Sequence, residues 1–222
     1  MAQHSHKSES AKSSLEASSD VELLDAWRGG DASAGERLFT RHYRPVARFF
    51  RNKVGAEQVA DLIQDTFIAS VDARDRIEDG TRFRAYLLGI AYHVFCKHLR
   101  ENYRRGPAVE LDVISIAEIA ESPSAIVARV REQRLLLEGL RAIAVNFQVV
   151  LELHYWEDLT TNEIALVLGV PSSTVRTRLQ RARNALEAAM ASIARSRELL
   201  ESTLTRLDDW AAQCGLLEHR PV

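Results

Sequence analysis

LTTNEIALVLGVPSSTVRTRLQRARNAL, residues 159–186, reads as two helices joined by a tight turn. Thr160 and Glu163 have capping-box spacing, so each side chain can satisfy a free backbone N–H at the start of the first helix. Ile164, Val167 and Leu168 give that helix an apolar face, and Ala165 is small enough to let a second helix approach closely. Gly169 suits a turn in which a positive φ or tight packing would penalise a larger residue. Pro171, Ser172, Ser173 and Thr174 restart the chain as a capped helix, in which Val175, Leu179, Ala182 and Leu186 fall at inward-facing spacing. Arg176, Thr177, Arg178, Gln180, Arg181 and Arg183 are left facing away from the core or along its flanks. Such a helix suits a DNA major groove, with its first residues at base edges and its arginines on phosphates. The alternative is a solvated basic helix in an all-α protein.

The remaining composition narrows the class. At 222 residues the chain has room for one large domain or two small ones. Ten Gly and 5 Pro among abundant Ala, Leu, Glu and Arg favour helix over sheet. No run approaches the roughly 18 apolar residues of a membrane span, and no signal-peptide core is present, so a cytoplasmic protein is expected. Two cysteines, Cys96 and Cys214, are too few for a disulfide framework. His93, Cys96 and His98 lie close together but lack a second ligand pair, so neither a metal nor another cofactor is expected. There is no Gly-rich phosphate loop and no nucleophile–base pair, which argues against catalysis and a small-molecule substrate.

A net charge of −2 conceals strong segregation. Between Ala56 and Gly80 seven acids face two arginines, and between Thr81 and Arg105 six bases face only Glu101. Residues 106–124 carry four acids and no base, and between Ser172 and Arg197 six arginines face Glu187. Two separated basic segments are two potential DNA contacts, because local potential rather than overall charge attracts phosphate.

Apolar spacing predicts an all-α fold of two small helical domains joined by a flexible acidic linker, the second carrying the helix-turn-helix. Residues 1–19 read as a disordered tail. A first helical domain spans 20–105. In it Gly29-Gly30 ends one helix, Asp31 caps the next, Pro45 marks a kink, and Gly55 precedes a helix with Val59, Leu62, Ile63, Phe67 and Ile68 inward. A loop over Asp75–Gly80 leads to a helix carrying Phe83, Tyr86, Leu87, Ile90 and Phe95, with Phe83 and Tyr86 assigned to the core. The linker covers 106–124, where Val113, Ile114, Ile116 and Ile119 form a short strand-like or helical piece able to dock on a partner. The second domain covers 125–195. Residues 196–222 form a helical extension striped by Leu199, Leu200, Leu204, Leu207 and Trp210.

Three motifs in order resemble an extracytoplasmic-function (ECF) sigma factor of the sigma-70 family of bacterial RNA polymerase. DLIQDTF (61–67) resembles the family's acidic-amide helix, FRAYLLGIA (83–91) the start of its promoter-melting helix, and residues 159–186 its C-terminal helix-turn-helix. The resemblance implies a subunit without catalysis of its own that binds core RNA polymerase and directs it to promoter DNA. It places Asp61, Gln64 and Asp65 on the largest subunit's coiled coil. Tyr92, His93, Lys97, Arg100 and Arg104 fall at the −10 element. Ser173, Thr174, Arg176, Thr177, Gln180 and Arg181 fall at the −35 element. The chain departs from the family at Tyr92, His93 and Lys97, where Arg, Asn and Asp are usual. The competing reading is a stand-alone dimeric helix-turn-helix regulator. For the extension three uses are open: folding back to regulate DNA binding, docking a partner such as an anti-sigma factor, or packing on the second domain.

Overall fold

The computed structural model describes residues 18–77, 79–102, 111–119, 131–206 and 209, so that residues 1–17, Leu207 and Trp210 lie outside the described part. Ser19 opens α1 (Asp20–Arg28) with a reciprocal capping box, its hydroxyl accepting from the Glu22 N–H while the Glu22 carboxylate accepts from the Ser19 N–H. Asp31 caps α2 (Ala32–Arg51) by accepting from the N–H groups of Ser33 and Ala34, and α2 continues on both sides of Pro45. Gly55 precedes α3 (Ala56–Ala73). The expected loop holds two short 3-10 turns, Arg74–Arg76 and Gly80–Arg82, and leads into α4 (Phe83–Asn102). Phe49 meets Phe50 and Phe95 edge-on, with centroids 5.3 and 6.0 Å apart, a favoured aromatic geometry.

One inward assignment is wrong. Ile68 is 54% exposed, because it lies seven residues after Asp61 and therefore on the polar stripe of α3. Thr66 and Ser70 take buried positions on that helix instead, their hydroxyls donating to the carbonyls of Leu62 and Phe67, both at 2.7 Å. These bonds within the helix satisfy the hydroxyls away from water.

The described part of the linker docks on the chain itself. Val145 donates its N–H to the Ile114 carbonyl (2.9 Å) and Asn146 to that of Leu111 (3.0 Å). Ser115 forms an isolated antiparallel bridge with Ala144, and α5 (Ile116–Ile119) follows with Ile116 fully buried. The second half then comprises α6 (Arg131–Ala142), α7 (Val145–Tyr155), α8 (Thr161–Leu168), α9 (Ser172–Ile193) and α10 (Arg197–Thr205). The extension helix α10 is capped by Ser196 and packs on α6 with Thr203 fully buried, so its described part lies against the second half.

The halves meet closely, and buried apolar residues run from one into the other as a single cluster. Helix α4 crosses α8 at Gly89, where an added Cβ would lie 3.6 Å from both Cα and O of Val167. A methyl group there would sit in ordinary van der Waals contact with the α8 backbone. Beside this crossing runs a buried polar seam. Glu157 accepts from Arg48 Nε (2.6 Å) and from Arg84, while Glu152 takes Lys53 and Asn52 Nδ2 (3.1 Å). Gln148 Nε2 supports Glu152 at 2.8 Å, and the Tyr92 hydroxyl donates to Asn146 Oδ1 at 3.1 Å. Burial of these charges is tolerated because each has an opposite partner and hydrogen bonds.

Thr160→Ala removes a capping side chain and is expected to destabilise the chain by about 1 kcal/mol in urea unfolding. Asp20 hydrogen-bonds His42 (2.7 Å) and pairs with Arg41 (2.6 Å). Burial raises its pKa, but His42 and Arg41 together outweigh that and hold the carboxyl below the ordinary aspartate value of 3.8. Its stabilisation is therefore complete above that value and is lost as pH falls through the lower folded pKa. Thermal melting of Asp20→Asn against wild type should show a deficit at neutral pH that disappears on such acidification.

Candidate nucleic-acid interface

The turn-helix geometry of the second half follows from its caps. Thr160 N–H and Oγ1 both reach Glu163 Oε2, at 2.8 and 2.6 Å, and Glu163 N–H returns to Thr160 Oγ1 at 3.3 Å. The hydrogen bond from Thr160 is the main reason the Glu163 carboxyl lies below its ordinary pKa, so this cap is ionised at neutral pH. Gly169 ends α8 in the left-handed region at φ 65°, which only glycine adopts without strain. The restart differs from the sequence reading. Helix α9 begins at Ser172 with Pro171 at the cap position and no side-chain cap, because proline has no side-chain acceptor to offer.

Val175, Leu179, Ala182, Leu186 and Met190 are buried along one side of α9. Ser173, Thr174, Arg176, Thr177, Gln180 and Arg181 are all exposed on the other, and their spacing puts them on a single helical face. Thr177 donates its hydroxyl to the Ser173 carbonyl (3.2 Å), and Gln180 Nε2 bonds Asn184 Oδ1 (3.2 Å). Among the described residues neither Arg176 nor Arg181 is in an ion pair, so both guanidinium groups are available. Their neighbours are engaged: Arg178 lies 3.6 Å from Asp112, and Arg183 donates to the Tyr155 hydroxyl (2.9 Å) while stacking over its ring.

Helix α4 divides its candidates. His93, Lys97 and Arg100 are exposed, Lys97 within 3.9 Å of Glu101 and Arg100 Nε bonded to the Cys96 carbonyl at 3.1 Å. Tyr92 is buried beneath α7, and that burial raises its pKa far enough to keep the hydroxyl protonated as a donor to Asn146. Arg104 lies outside the described residues. Burial likewise raises the Cys96 thiol pKa, while His98 is shifted downward by burial. Among the described residues no group of His, Cys, Asp and Glu could hold a metal.

Helix α3 carries Asp61, Gln64 and Asp65, all exposed, with Ile68 continuing the same stripe. Beside it Trp27, Phe39, Tyr43, Phe67 and Val71 line a groove of about 710 Å³. Neither Ile68 nor the groove was assigned a function from sequence. The seven-residue interval from Asp61 could have flagged Ile68, whereas the groove needs three helices brought together.

No helix among the described residues is long and apolar enough to cross a membrane. Residues 38–105 match the family model for Sigma-70 region 2, and residues 136–186 that for Sigma-70, region 4. The ECF RNA polymerase sigma-E factor of Escherichia coli (strain K12) is 29% identical over 177 residues, spanning 76% of this chain and 92% of that protein. RNA polymerase sigma factor HrpL of Pseudomonas syringae pv. syringae is 31% identical over 160 residues, spanning 70% and 87%. Among solved structures, CnrH in complex with the cytosolic domain of CnrY aligns with a TM-score of 0.57 and 26% identity, covering 79% of this chain and 99% of that one. The sigma factor RpoE in complex with the anti-sigma factor NepR, from Bartonella quintana, shares the fold at a TM-score of 0.55 and 18% identity, covering 70% and 96%. The two matched regions take in the acidic stripe, α4 and the whole helix-turn-helix, more than half of the chain, which therefore belongs to the sigma-70 family as an ECF RNA polymerase sigma factor.

Proposed function

We propose that this sigma factor binds core RNA polymerase through the α3 stripe and directs it to promoters by reading the −35 element with α9 and the −10 element with α4. The observation that carries the reading is the division of α9 into a buried apolar side and a wholly exposed face of Ser173, Thr174, Arg176, Thr177, Gln180 and Arg181. That face supplies base-edge and phosphate donors together. The uncapped start of the helix is suited to a phosphate, whose oxygens would accept from first-turn N–H groups.

On α3, Asp61 and Asp65 offer carboxylates to cationic side chains of a partner helix, and Gln64 an amide between them. Ile68 and the adjoining aromatic groove supply the apolar surface that charge pairs alone lack. Lys97 and Arg100 of α4, with Arg104 after it in the sequence, are the cations proposed for a melted strand, and His93 and Tyr92 are the rings for its bases. The role is one of recognition without a reaction of its own, carried out in the cytoplasm where the polymerase works. The similarity to CnrH, solved with the cytosolic domain of CnrY bound, supports a protein partner here, and an anti-sigma factor is the partner we propose.

Two measurements test the reading. Asp61→Ala with Asp65→Ala should weaken binding to core polymerase by about tenfold or more, roughly 1.4 kcal/mol per factor of ten, without altering helical content. Wild-type protein that ignores core polymerase and binds duplex DNA tightly as a dimer would overturn the reading in favour of a stand-alone regulator. For the DNA contacts, Arg176→Ala and Arg181→Ala should each weaken −35 binding by about 1–3 kcal/mol if the side chain reads a base. A phosphate contact should instead reduce the salt slope by about 1, evenly across sequences.

A further inference from the structure

Helix α7 and the turn after it lie along one surface of the first half, and the three ion pairs across that seam have the same sense. The first half presents cations at Arg48, Lys53 and Arg84, and the second half presents carboxylates at Glu152 and Glu157. All of these except Arg84 are buried. The same surface continues to Tyr92, the aromatic candidate for the −10 strand, which is covered by Asn146 of α7. A strip holding three cations and an aromatic ring has the composition of a single-stranded nucleic-acid path. Two carboxylates, each with two acceptor oxygens, are seated on those three cations.

The closed arrangement also holds the two DNA-reading helices side by side. Arg178 of α9 lies 3.6 Å from Asp112, whose Oδ1 accepts from Asn146 Nδ2 at 2.8 Å, and Asn146 in turn accepts from Tyr92 of α4 at 3.1 Å. Promoter elements at −10 and −35 are about 25 base pairs apart, roughly 85 Å of duplex at ~3.4 Å per step. A chain of three side-chain contacts cannot bridge that distance, so one promoter cannot be read at both elements with the halves closed.

We propose that Arg48, Lys53 and Arg84 form a phosphate-binding strip for the melted promoter strand, masked in the free protein by Glu152 and Glu157 acting as phosphate mimics. The proposal rests on the promoter-binding reading given above. Parting the halves returns all five charged groups to water, so separation strands no buried charge and the seam works as a releasable mask. The mask is also specific. Only a partner or strand that replaces both carboxylates with other anions, or that pulls α7 away, uncovers the strip.

The test uses the full chain and a fluorescein-labelled mixed-sequence single-stranded DNA, with anisotropy followed across a salt series. Glu152→Gln with Glu157→Gln keeps the side-chain shapes while removing both charges and turning one acceptor oxygen of each into a donor facing the cations. It should bind the DNA about tenfold more tightly than wild type at low salt, with a log–log salt slope steeper by about 2, from ~0.7 per phosphate over three cations. Adding Arg48→Gln and Arg84→Gln to that variant should reverse most of the gain. Gly89→Leu provides an independent route, because three carbons added beyond a Cβ already in contact with Val167 are expected to force the crossing apart while leaving every charge in place. It should show the same gain, with circular dichroism confirming that helical content is retained. Unchanged affinity in both opened variants overturns the proposal, as does a gain that survives Arg48→Gln and Arg84→Gln. Core-polymerase binding by wild type is measured on the same preparations: its absence sinks the sigma reading, whereas its presence with unchanged DNA affinity sinks only the mask.

Discussion

Helix α7 has to satisfy two neighbours at once, and the architecture depends on how it does so. Val145, Val149, Val150, Leu151 and Leu153 are almost completely buried. Asn146, Gln148 and Glu152 on the same short helix are buried as well, and they meet polar groups of the first half. A helix covered on all sides is ordinarily apolar all round. Here the polar positions are kept because the turn after α2 delivers Asn52 and Lys53 to them, and α4 delivers Tyr92. Shifting α7 by one residue would turn Glu152 away from Lys53 and leave a buried carboxylate unpartnered, so the charges fix the register of one half on the other.

That arrangement explains how an acidic protein can be built for nucleic acid. Its net charge of −2 averages over elements with opposite tasks. The acids of α3 stay on the surface, where they can meet a cationic protein, and Glu152 of α7 and Glu157 after it are held inside the molecule against its own cations. Arg176 and Arg181 of α9 stay outside, free of ion pairs among the described residues. Separate placement of these sets matters more than their sum, because potential at a surface falls off within about 10 Å at moderate salt.

Local signals in the sequence were faithful where the physics is local. The Thr160–Glu163 box, the left-handed Gly169, the Asp31 cap and the buried positions of α9 were all legible, since each depends on residues within one or two turns. Ile68 was misread because an apolar residue beside Phe67 fits an inward pattern equally well until its phase against Asp61 is counted. The serines after Pro171 looked like caps, yet the helix begins at Ser172 and leaves proline in that role. The seam was invisible for a different reason. Arg48 and Glu157 are 109 residues apart and Lys53 and Glu152 are 99, and nothing in either segment alone names its partner. A lone Glu152 inside the apolar run VVLELHYW was the single local hint, since a carboxylate there must find a cation when buried.

The docked piece of the linker sets how far the two halves can travel. With Leu111 held against α7, the chain from Asn102 to Leu111 is nine residues, a tether of about 30 Å at full stretch. Released from the Ser115–Ala144 bridge and from α6, the tether runs from Asn102 to Arg131 and reaches about 100 Å. Two backbone bonds, at Leu111 and Ile114, therefore decide how many residues of chain stand between the halves, nine with them and twenty-nine without.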